Sequence, residues 1–88
     1  MADDLQAIED RILAYLHSEV LAPGQTVERD DDLLSELLDS VAVLRLAGFV
    51  DEEFGLTTRR QDFIVENFQS AARIALYVQR SRDARPDE

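Results

Sequence analysis

The chain contains no cysteine, no lysine and no tryptophan, and it holds one histidine and three glycines. Without Cys there are no disulfides, no thiolate catalysis and no Cys-based zinc site. The single His17 has no second histidine or cysteine to join it, so a catalytic zinc centre lacks ligands. Gly24, Gly48 and Gly55 are far apart, which rules out the glycine-rich loops that cradle nucleotide phosphates. No apolar run reaches the length of a membrane span. The start, Met1 to Asp4, is acidic and leads straight into an amphipathic pattern, unlike a signal peptide with its basic start and apolar stretch. Positive charge is scarce: nine arginines stand against nineteen acids, for a net charge of −10. Such a field repels phosphate backbones and anionic bilayers and favours basic partner surfaces. The expectation is a cytoplasmic monomer that binds neither nucleic acid nor membrane.

At 88 residues, 45% of them hydrophobic, the chain is long enough for one small domain with a modest core. It is too apolar for general disorder and too short to hold a deep substrate pocket as well. Leu5, Ile8, Ile12, Leu16 and Val20, flanked by Leu13, recur at helical steps and predict a first amphipathic helix. Asp3 or Asp4 is suited to cap its start, and Ala22-Pro23-Gly24 ends it. Residues 21–39 read as a long connection that turns leucine-rich at Leu33, Leu34, Leu37 and Leu38, with one short helical turn around Ser35 and Glu36. Connections of this length in small domains are usually functional.

A second helix is expected from Asp39-Ser40 to about Glu53, with Leu46, Val50 and Phe54 inward, Ala47 beside them, and Gly55 as its left-handed stop. Gly48 inside it costs up to about 1 kcal/mol against Ala, which suggests a close approach by another group. Residues 61–66 suit one short helix. A last helix is expected from about Gln69 to Arg80, with Ala71, Ile74, Ala75 and Val78 inward and Phe68 at its approach. Residues 1–80 then form the domain and 81–88 a frayed polar tail. The fold class is all-α: three main helices and a short one, with the long loop between the first two.

Candidate chemistry is sparse. Asp30-Asp31-Asp32 fails the calcium-loop pattern, because the sixth and twelfth positions hold Ser35 and Val41 instead of Gly and Glu. It reads as a solvated acidic turn. Arg59-Arg60, the one adjacent basic pair, lacks the aromatic interleaving of a nucleic-acid surface. His17 has no nucleophile nearby and reads as a surface or flanking residue. Asp39-Ser40 remains. Both residue types are common helix caps. A serine in the first helical turn after a long loop is also accessible, and a phosphodiester attached there meets free amides and the positive end of the helix dipole. No base near it in sequence activates the hydroxyl, so Ser40 reads as an attachment point rather than a catalyst.

These residues resemble the acyl and peptidyl carrier protein family. The likeness runs from about Leu5 to Val78 and centres on the acidic, leucine-bearing stretch Asp30 to Val41, which closes on Asp39-Ser40-Val41. Asp51-Glu52-Glu53-Phe54-Gly55-Leu56 looks like the acidic end of the family's second helix, and Glu66 to Ser70 like the approach to its last helix. The resemblance implies a four-helix carrier bundle without catalytic activity. It implies that Ser40, preceded by Asp39, receives 4′-phosphopantetheine from coenzyme A through a phosphopantetheinyl transferase. The arm's thiol would hold an aminoacyl, peptidyl or acyl group as a thioester, which gives a protein without Cys its thioester chemistry. The helix from Ser40 to Glu53 would dock an adenylating or acyl-loading enzyme and later tailoring or condensing enzymes, through Val41, Ala42, Arg45, Gly48, Asp51 and Glu52. Val41 stands where the family usually has Leu. Ala42 and Arg45 replace acids common in fatty-acid carriers, so this face is closer to stand-alone aminoacyl or peptidyl carriers of natural-product pathways. A polyketide or fatty-acid type acyl carrier is the alternative, and a small acidic helical adaptor without a prosthetic group is a further one.

Overall fold

The computed structural model describes residues 5–84, and every regular element in that span is helical. Helix α1 covers Leu5–Tyr15 and continues as a π turn over Leu16–Val20. Helix α2 covers Ser40–Phe54, α3 is the short Val65–Phe68, and α4 covers Ala71–Ala84. A π turn at Leu33–Leu37 and a 3-10 turn at Arg60–Asp62 lie in the connections. Among the described residues no helix is long and apolar enough to cross a membrane.

The apolar stripes meet as their spacing requires. Ile8, Ile12 and Leu16 of α1, Leu46, Val50 and Phe54 of α2, Phe68, and Ala71, Ile74, Ala75 and Val78 of α4 are all buried in one cluster. The main axis of the structure is α1 against α4. α2 leans on α1 through Tyr15 and Phe49, whose rings stack with centroids 4.1 Å apart. Leu5, Leu13 and Val20 are only partly covered and form the rim of the same cluster.

The long connection is stitched down rather than loose. Leu33 and Leu38 are buried in the core and Leu34 is packed at its edge. Val27, which carries no periodic signal, is buried as well. The Leu33 N–H donates to the Gln69 carbonyl at 2.7 Å, and the Ala72 N–H donates to the Arg29 carbonyl at 2.9 Å. These bonds satisfy backbone groups that a loop across the core cannot leave to water. They tie the segment before Ser40 to the α3–α4 junction.

Four expectations need correction. The last helix starts at Ala71 rather than Gln69, because the Ser70 hydroxyl caps it by accepting the Arg73 N–H at 3.2 Å. It runs past Arg80 to Ala84, so residues 81–84 are helix rather than frayed tail. Arg82 holds this extra turn, its guanidinium lying 5.8 Å from the centre of the Phe54 ring. The short helix expected over 61–66 is split into Arg60–Asp62 and Val65–Phe68, with Phe68 inside α3. Finally, a Cβ placed on Gly48 meets nothing within 4 Å among the described residues, so none of them requires glycine there. The suggested Asp3 or Asp4 cap, the Leu37 side chain and residues 85–88 lie outside the described part.

Candidate functional site

The start of α2 is built by Asp39. Its backbone is extended (φ −91°, ψ −179°), and its Oδ1 accepts the Ala42 N–H at 2.8 Å. The carboxylate fills one of the orphan donors of the first turn. Ser40 is then the first helical residue, exposed, and its hydroxyl has no hydrogen-bond partner among the described residues. The sequence left open which of the two residues serves as the cap. The structure gives that role to Asp39 and leaves the Ser40 hydroxyl free.

A shallow depression opens beside Ser40, lined by Leu34, Leu38, Asp39, Ser40, Val43 and Phe63. A second one lies further along α2, lined by Ala47, Gly48, Asp51, Thr58, Arg59, Arg60 and Phe63. Phe63 borders both. It is held edge-on against the buried Phe68, with ring centroids 5.2 Å apart.

The expected docking residues divide. Val41 is 64% exposed, and Arg45, Gly48 and Glu52 are exposed with it. Ala42 is half-buried, packed on one side against the core cluster. The Asp51 carboxylate accepts the Thr58 N–H at 3.0 Å and the Thr58 hydroxyl at 2.6 Å. The Tyr77 hydroxyl donates to Thr58 Oγ1 at 2.9 Å, which anchors the same loop to α4. Leu44, 59% exposed on α2, was not expected as a surface residue. Its signal is its position one turn beyond Ser40 on the same side as Val41. Ile64 and Val65, at the start of α3, add two more exposed aliphatic side chains.

The acidic turn is a folding device. Asp31 accepts the Glu28 N–H at 2.9 Å, and Asp32 caps the Leu33–Leu37 turn by accepting the Leu34 N–H at 3.0 Å. Among the described residues no group of three His, Cys, Asp or Glu side chains is arranged to hold a metal ion.

Two polar anchors escaped the sequence reading. Glu9 is buried in α1, and Arg29 holds both its oxygens, at 2.8 Å each, from the long connection. Hydrogen bonding from Arg29 keeps the Glu9 carboxyl below the usual carboxylate range, against the opposing effect of burial. Glu9 in turn drives the guanidinium pKa upward. His17 is the other anchor: Nε2 accepts the Val27 N–H at 3.1 Å while Nδ1 faces the Leu13 carbonyl at 2.9 Å. That pairing places the proton on Nδ1. Comparison with family models, with curated proteins and with solved structures returned no match.

Proposed function

We propose that this protein is a carrier: a four-helix bundle whose Ser40 bears a phosphopantetheine arm that holds an acyl or aminoacyl group as a thioester. The observation that carries this reading is the free, exposed Ser40 hydroxyl in the first turn of α2, released from capping by Asp39. A serine at the N-cap position normally accepts a backbone N–H, but here Asp39 holds that position and Ser40 follows it. The Ser40 hydroxyl accepts none among the described residues. In the modification the Ser40 oxygen attacks the β-phosphorus of coenzyme A. An O–P bond forms, the pyrophosphate bond breaks, adenosine 3′,5′-bisphosphate leaves, and the hydroxyl proton passes to a base of the transferase. The new phosphodiester sits where the helix dipole and its unpaired amides stabilise negative charge. The cargo thiol arrives with the arm, so the chain needs no nucleophile of its own. The exposed residues Val41, Leu44 and Arg45 flank the site and suit contact with the enzymes that load and use the arm. The less acidic first half of α2 and the Glu66 to Ser70 approach to the last helix favour an aminoacyl or peptidyl carrier of a biosynthetic pathway over a fatty-acid one.

The test is intact-protein mass spectrometry after incubation with coenzyme A, magnesium and a broad-specificity phosphopantetheinyl transferase, beside Ser40→Ala. A gain of one phosphopantetheine, absent from the variant, is the expected result. No gain with several transferases, on protein shown to be folded, overturns the reading and leaves a helical adaptor.

A further inference from the structure

We propose that the arm of this carrier presents a cargo bearing a terminal carboxylate, which Arg60 and Arg59 recognise in the second depression beside α2. The proposal rests on the carrier reading and adds a substrate class to it. Its starting point is the pair of depressions that share Phe63 as a lining residue. The first contains Ser40; the second contains both members of the one adjacent basic pair in a chain of net charge −10. Gly48, on the floor of the second, is eight residues beyond Ser40, about 12 Å along the helix axis. An extended pantetheine chain spans that distance. The arm's phosphate, fixed at Ser40, stays at the helix start, so the arginines are left to meet what the thiol carries.

Ion pairing at the second depression leaves one guanidinium over among the described residues. Asp51 lines it too, but its carboxylate is turned to the Thr58 N–H and hydroxyl. Arg59 reaches Asp62 at 3.6 Å. Arg60 has no carboxylate within 4.0 Å among the described residues, unlike Arg11 and Arg29, which are paired with Glu53 and Glu9. A guanidinium presents a planar fork suited to a carboxylate. Apolar walls at Val43, Ala47 and Phe63 lead up to it. The two depressions measure about 310 and 180 Å³, at or below the low end of small-molecule sites. They fit a short cargo rather than a long chain.

The experiment loads Ser40 with glutaryl- or valeryl-phosphopantetheine from the matching coenzyme A thioesters, using the same transferase, and confirms each product by mass. The two cargoes have the same chain length and differ in a terminal carboxylate. The readouts are the backbone amide shifts of Gly48, Thr58 and Arg60 by NMR and the rate of thioester cleavage by hydroxylamine. The glutaryl form should shift these amides and be cleaved about two- to fivefold more slowly than the valeryl form, the range a partly exposed ion pair supplies. The Arg59→Gln/Arg60→Gln double variant should erase the difference, as should raised salt. If both cargoes load yet behave alike, the anionic-cargo inference fails while the carrier reading stands. If the protein accepts neither arm, the carrier reading fails and this inference with it.

Discussion

Arg29 grips the buried Glu9 carboxylate through Nε and Nη2, two bonds of 2.8 Å that join the long connection to the first helix. The depressed Glu9 pKa makes this pair a source of pH-dependent stability. A carboxyl with a lowered folded-state pKa contributes stability that is fully present above its unfolded value, about 4.3. That stability is lost as the pH falls through the lower folded-state value. Glu9→Gln should therefore lower the melting temperature at pH 7. It should also flatten the acid side of the stability profile below about pH 4.3. Thermal melts of both proteins between neutral and acid pH check this. Profiles that stay parallel throughout would show that the pair carries no linked proton.

Asp39 and Ser40 should separate cleanly. Asp39→Ala removes the acceptor of the Ala42 N–H and should cost about 1 kcal/mol, read by chemical denaturation. Ser40→Ala removes a hydroxyl that bonds to nothing described and should change stability by less than about 0.5 kcal/mol, while abolishing phosphopantetheine uptake. A large loss of stability in Ser40→Ala would return the serine to a structural role.

How far the sequence carried depended on whether a feature is local. Ile8, Ile12, Leu16, Leu46, Val50, Phe54, Ile74 and Val78 are buried as their helical spacing required, and Gly55 takes its left-handed conformation at φ 70° after Phe54. The same logic found the Asp39-Ser40 helix start. Features that join distant segments left no periodic trace. Glu9 and Arg29 are twenty residues apart, and Thr58 and Tyr77 nineteen. Nothing local in the sequence marks either pair as bonded. Helix α4 overran its expected end because its last turn holds on by polar side chains, Arg82 over Phe54 and Arg80 on the Asn67 amide, while the expectation counted only apolar positions. The bond from Thr58 to Asp51 left no trace either, because an acid on a helix says nothing of a loop that folds back onto it.

That loop supplies the next prediction. Asp51→Asn keeps the shape but replaces a charged acceptor of the Thr58 N–H and hydroxyl with a neutral one. Hydrogen bonds to charged groups are worth about 1.5–3 kcal/mol and neutral ones about 1. The variant should lose about 1 kcal/mol and show faster amide exchange across residues 57–63, where the loop carries Arg59, Arg60 and Phe63. Unchanged exchange there would mean that Asp51 does not hold this loop.

His17 should matter to the fold rather than to any chemistry. His17→Ala leaves the N–H of buried Val27 without the acceptor it has now. An unsatisfied buried donor costs about 1–3 kcal/mol, and the low end is expected here because His17 itself is exposed. Amide exchange at Val27 should rise in the variant. Protection that survives the substitution would show that water replaces the imidazole at no cost.

Gly48 sets stability against use. It lies in the interior of α2 with room for a methyl group on every side. Gly48→Ala should therefore stabilise the protein by up to about 1 kcal/mol, which in a domain of this size raises the melting temperature by about 4–8 °C. Its Cβ, however, would stand in the depression that also holds Arg59 and Arg60. If short anionic cargo lies there, the added methyl displaces it, and the difference in hydroxylamine sensitivity between glutaryl- and valeryl-loaded protein should shrink as the melting temperature rises. A glycine without functional consequence would give the stabilisation alone. The two measurements on one variant thus separate a helix defect from a site kept open for its cargo.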